Sequence, residues 1–60
     1  MHWLKYKRIT KGMTQEDVAR LASISRSTYG HIETGKRGVT VKNARKIAKV
    51  LDFDWTIFFE

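Results

Sequence analysis

From Ser25 to Thr34 the chain reads Ser-Arg-Ser-Thr-Tyr-Gly-His-Ile-Glu-Thr, and at helical spacing Arg26, Ser27, Gly30 and His31 fall on one outward face. A guanidinium, a hydroxyl and an imidazole, with no carboxylate among them, can donate to phosphate oxygens and to the polar edges of bases. A helix that merely covers a core would mix both charge signs on its solvent side. Arg26 also stands at the start of the helix, where the macrodipole opposes a cation, so it is suited to an anion from outside the chain.

The rest of the composition points the same way. Twelve Lys and Arg against six Asp and Glu give a net charge of +6 in 60 residues. In a protein this small that imbalance suits a polyanion, either nucleic acid or an anionic membrane surface, although basic charge also serves plain solubility. There is no Cys, no His-x-x-x-His spacing and no glycine-rich phosphate loop. His31 and Glu33, two apart on a helix, do not face one another. The chain therefore reads as a binding protein and not an enzyme, with no metal, no cofactor and no small-molecule ligand. No apolar run approaches the ~20 residues of a membrane span, and the N-terminus lacks the apolar stretch of a signal peptide, so a cytoplasmic protein is expected.

Five short helical segments must position these residues. Residues 3–10 form a cation-rich helix that Gly12 can terminate. Thr14 caps a second, about 14–22, with Gln15, Glu16 and Asp17 in its first turn and Val18, Leu21 and Ala22 as its buried stripe. Ser25 caps a third, about 25–34, with Tyr29 and Ile32 inward and Gly35 as its stop. Thr40 caps a fourth, in which Val41, Ala44, Ile47, Ala48 and Leu51 repeat at i, i+3, i+4, i+7, and Lys42, Arg45, Lys46 and Lys49 form a solvated side. Asp54 caps a closing turn, Trp-Thr-Ile-Phe-Phe. The expectation is one all-α domain over residues 1–60, a bundle of five short helices. Its second and third helices have the spacing of a helix-turn-helix, in which the second of the pair enters the major groove of DNA.

Thr14-Gln15-Glu16-Asp17-Val18-Ala19, Ile24-Ser25-Arg26-Ser27-Thr28-Tyr29 and Ile32-Glu33-Thr34-Gly35-Lys36 together resemble the Cro/cI-type, or Xre-like, helix-turn-helix family, over nearly the whole chain from Trp3 to Trp55. The resemblance implies a lambda-repressor-like fold and a transcriptional regulator, most often a prophage- or mobile-element-type repressor working in a bacterial or phage setting, associated with the nucleoid. It places Arg26, Ser27 and His31 at base-reading positions, with Gly30 on the same face. Gln15 falls where a side chain contacts phosphate and buttresses the reading helix. Ser25, Lys36, Arg37 and Lys42 fall near the backbone, and Arg8 with Glu33 matches a structural pair linking the first helix to the third. The sequence departs from the family at Ser23, where glycine is usual because the turn needs φ > 0, and at Tyr29, where an aliphatic residue is usual. It departs again at Gly30, which replaces a polar residue, and at Val39, which replaces a frequent proline.

A partner beyond double-stranded DNA is also implied. Trp55, Ile57, Phe58 and Phe59 cannot all be covered by one short turn, and a weak homodimer through residues 54–60, seated on a palindromic operator, would bury the remainder. The alternative is a helix-turn-helix used only to bind protein, as an antitoxin-like or antirepressor partner. That role would favour an acidic or apolar third helix, whereas this one is basic and polar. Membrane binding ranks last, because the apolar stripe of the fourth helix is needed by the core.

Overall fold

Three of the four α-helices begin at a side-chain cap, and the first, which follows Met1, begins without one. In the computed structural model, which describes residues 1–60, α1 spans His2–Thr10, α2 Gln15–Leu21, α3 Arg26–Glu33 and α4 Val41–Leu51, and a 3-10 turn covers Trp55–Phe59. Thr14 and Asp17 form a reciprocal capping box, with Asp17 N donating to Thr14 Oγ1 at 3.0 Å and Thr14 N donating to Asp17 Oδ2 at 2.9 Å. Ser25 and Thr40 accept from the backbone N–H groups of Thr28 and Asn43 at 3.0 and 3.1 Å. Asp54 accepts from Thr56 N at 3.0 Å.

The helix ends close in a common way. After α1, Gly12 N donates to Ile9 O and Met13 N to Arg8 O, with Gly12 at φ 70°. After α2 the same pair of bonds recurs, Ser23 N to Arg20 O at 3.2 Å and Ile24 N to Ala19 O at 3.0 Å, with Ser23 at φ 57°. This is the Schellman closure, which needs one left-handed residue. Ser23 thus adopts the backbone conformation that a glycine normally supplies, and the turn between α2 and α3 keeps its geometry.

The core is a cluster of Leu4, Val18, Ala19, Ala22, Tyr29, Ile32, Ile47 and Leu51, drawn from all four α-helices. Trp3, Phe53 and Phe58 extend it on one side, with ring centroids 5.0 Å apart for Trp3–Phe58 and 5.5 Å for Trp3–Phe53. Three expectations need correcting. The fifth helix is a 3-10 turn of five residues, too short and too aromatic to hold α-helical bonds. Leu21 is 51% exposed, because Val18, Ala19 and Ala22 define the inward side of α2 and Leu21 sits roughly a third of a turn from it. Val41 is 49% exposed, standing one turn ahead of Ala44, the first buried residue of α4.

Candidate nucleic-acid interface

At its base, α3 is held by a buried ion pair. Arg8 Nε donates to Glu33 Oε2 at 2.8 Å and Nη2 to Oε1 at 2.9 Å, a bidentate pair with the two side chains 11% and 4% exposed. The third arm, Arg8 Nη1, donates to the Met13 carbonyl at 2.8 Å, tying the loop before α2 to the same point. Gln15 Nε2 donates to Glu33 Oε1 at 3.3 Å, and the Met1 amino group donates to the Glu33 carbonyl. One carboxylate thus fixes α1, the start of α2 and the end of α3 relative to one another.

The electrostatics follow from this crowding. Burial alone would raise the Glu33 pKa, but the bonds from Arg8 and Gln15 outweigh it and hold the carboxyl below its usual range. The Tyr29 hydroxyl is buried beside this pair without a hydrogen-bond partner, and burial, reinforced by the nearby carboxylate, pushes its pKa up. At this position Tyr29 fills the core with its ring, as an aliphatic side chain would, and leaves its hydroxyl unsatisfied.

Gln15 and Gly30 are linked in space. A Cβ placed on Gly30 would lie 3.4 Å from Gln15 Oε1, an ordinary contact, so the glutamine lies directly over this part of α3. Gln15 is half-buried and donates one amide hydrogen to Glu33, linking the start of α2 to the end of α3.

Outward, α3 presents Ser25, Arg26, Ser27 and His31 as exposed side chains, with Gly30 half-buried between them. There is no acid in its first turn. Arg37 folds back from the following loop, its backbone N donating to His31 O at 3.2 Å and its Nη1 to Thr28 Oγ1 at 3.4 Å. Thr28 Oγ1 in turn accepts from Ser25 Oγ at 2.7 Å. Arg37 therefore stands beside the first turn of α3 and not beyond its end, a placement that sequence spacing could not reveal. Thr28, which the sequence marked only as flanking the core, is the link that holds it there. Lys36 and Lys42 are exposed. The ion pairs of the molecule are Arg8–Glu33 and Arg20–Asp17, so Arg26, Lys36, Arg37 and Lys42 all lack a carboxylate partner.

The aromatic end divides differently from expectation. Phe58 packs against the chain's own core beside Trp3 and Phe53 and is half-buried there. Phe59 is 51% exposed, and Trp55 and Ile57 are half-buried. Trp55 lies 6.1 Å from Phe59 between ring centroids, and the Arg45 guanidinium sits 5.0 Å from the Trp55 ring.

Two capped helices joined by a left-handed turn, the second presenting a cationic and polar face, define a helix-turn-helix. The family described as "Helix-turn-helix" matches residues 4–58, and the chain belongs to that Cro/cI-type family. It is 53% identical over 58 residues to a protein of Bacillus subtilis named as the uncharacterized HTH-type transcriptional regulator YqaF, a match that covers 97% of this chain and 76% of the relative. It is 48% identical over 46 residues to a Methanocaldococcus jannaschii protein also named as an uncharacterized HTH-type transcriptional regulator, covering 77% of this chain and 70% of the relative.

Proposed function

We propose that the protein is a transcriptional regulator that binds double-stranded DNA sequence-specifically, with α3 in the major groove. In this reading it acts as a repressor of prophage or mobile-element type, bound as a homodimer to a palindrome. Family membership and the names of both relatives support a DNA-binding regulator. The observation that carries the reading is the face of α3: Arg26 at the helix start, then Ser27, Gly30 and His31, with no carboxylate on the face and the whole helix anchored from behind through Glu33. Arg26 and Ser27 meet base edges nearest the helix N-terminus, and His31 follows one turn on. Gln15, Ser25, Lys36, Arg37 and Lys42 meet phosphates. The protein-interaction alternative would favour an acidic or apolar face on this helix, and four unpaired cations on and around it support the DNA reading instead.

Binding to duplexes over a range of salt concentrations tests this. Neutralised phosphates release counterions, so affinity should fall steeply as salt rises. Lys36→Ala should weaken binding equally on all sequences and flatten the salt slope by about one unit. Binding that ignores salt, or none at low salt, would leave the protein-interaction reading in its place.

A further inference from the structure

Away from α3, the C-terminal half of α4 and the end of α2 enclose an open groove of about 480 Å³, lined by Leu21, Ala22, Ser23, Lys46, Lys49 and Val50. We propose that this groove is a docking site for an acidic amphipathic helix of a partner protein. The inference does not rest on the DNA reading, because none of these residues belongs to that face.

Three observations carry it. The floor is apolar and left uncovered by the chain, with Leu21 51% exposed beside the half-buried Val50. The rim is cationic: Lys46 and Lys49 lie one turn apart on α4, neither has an ion-pair partner, and no acid lines the groove. Two cations one turn apart over an apolar floor match a helix that presents apolar side chains flanked by carboxylates three or four residues apart. Finally, Ser23 lines this same groove in a left-handed conformation that glycine would hold without strain, so the chain carries a hydroxyl there at a conformational cost. A membrane surface would instead favour a broad apolar face, whereas this apolar floor is small and is flanked by Lys46 and Lys49.

The probe is a synthetic peptide of about 18 residues, long enough to be helical, with leucines along one face and glutamates flanking them. Its binding to the isotope-labelled protein is followed residue by residue by NMR. Shifts should centre on Leu21, Ser23 and Val50. Leu21→Ser, and separately Lys46→Gln with Lys49→Gln, should weaken the peptide by about tenfold or more while the melting temperature stays near that of the wild type. Ser23→Gly should raise the melting temperature yet still weaken the peptide, an outcome that a purely structural role for the turn does not give. The proposal is overturned if shifts centre on Arg26 and Lys36 instead, if a shuffled peptide of the same composition or anionic phosphatidylglycerol vesicles give the same response, or if no binding appears by millimolar peptide.

Discussion

Glu33 is the residue on which the placement of α3 depends. It accepts both hydrogen bonds from Arg8 and one from Gln15, at 4% exposure, so removing its charge leaves a buried guanidinium uncompensated. Glu33→Gln should cost about 3–5 kcal/mol, a large share of the stability of so small a protein, as a lowered melting temperature would show. The same carboxyl gives a pH dependence of definite sign. Its pKa is held below the ordinary 4.5, so its stabilising contribution is complete above that value and is lost as pH falls through the depressed one. Asp17, held low by the backbone N–H bond within its capping box with Thr14, and Asp54, held low by the Thr56 N–H, act in the same direction. The melting temperature should therefore fall on acidification below about pH 4.5, and Glu33→Gln should flatten that fall. A wild type whose melting temperature rose towards pH 3 would contradict this assignment of charges. The pairing of Arg8 with Glu33 was open to sequence reading only through family resemblance, since nothing in a spacing of 25 residues announces it. The bond from Arg8 to the Met13 carbonyl, and the link from Arg37 to Thr28, were beyond it altogether, because both depend on how loops return.

Caps were the most legible feature at the scale of elements. Thr14, Ser25, Thr40 and Asp54 all accept the bonds their types and positions suggested, because N-cap chemistry is local and needs no tertiary partner. Burial was less legible, since Leu21 and Val41 fit the helical period but lie at the edge or end of their stripes. The period says which residues share a face, not how far a neighbouring helix extends over it. The α2–α3 turn gives the sharpest prediction here. Ser23 sits at φ 57°, where a side chain costs roughly 1–2 kcal/mol relative to glycine, so Ser23→Gly should stabilise the protein by about 1 kcal/mol. Unchanged or lower stability, measured by denaturant unfolding, would mean that the serine side chain compensates its own backbone.

For the molecule as a whole, stability and assembly meet at the aromatic end. Only 11 of 60 residues are fully buried, so covering further apolar surface has a proportionate effect. Phe58 packs against the core with Trp3 and Phe53, whereas Phe59 is exposed and Trp55 and Ile57 are half-buried, and the proposed homodimer would draw on these. Phe58→Ser should therefore lower stability by about 1–2 kcal/mol, while Phe59→Ser should fold normally and weaken dimerisation on a palindromic duplex, as sedimentation with and without DNA would report. A Phe59→Ser protein that assembles as the wild type does would remove this surface from the interface. Two copies related by a two-fold axis would set their α3 helices about 34–36 Å apart, one turn of DNA, and would join two readings of a half-site into one operator. The proposed base reading by α3 through Arg26 is tested most directly by comparing wild type and Arg26→Ala on the best duplex selected from a random pool and on unrelated duplex at the same salt. The expected result is a loss of about 1–3 kcal/mol on the selected site, with preference relaxed at one base pair, and a much smaller loss on unrelated DNA. Equal losses on both would make Arg26 a phosphate contact and contradict base reading at the head of α3.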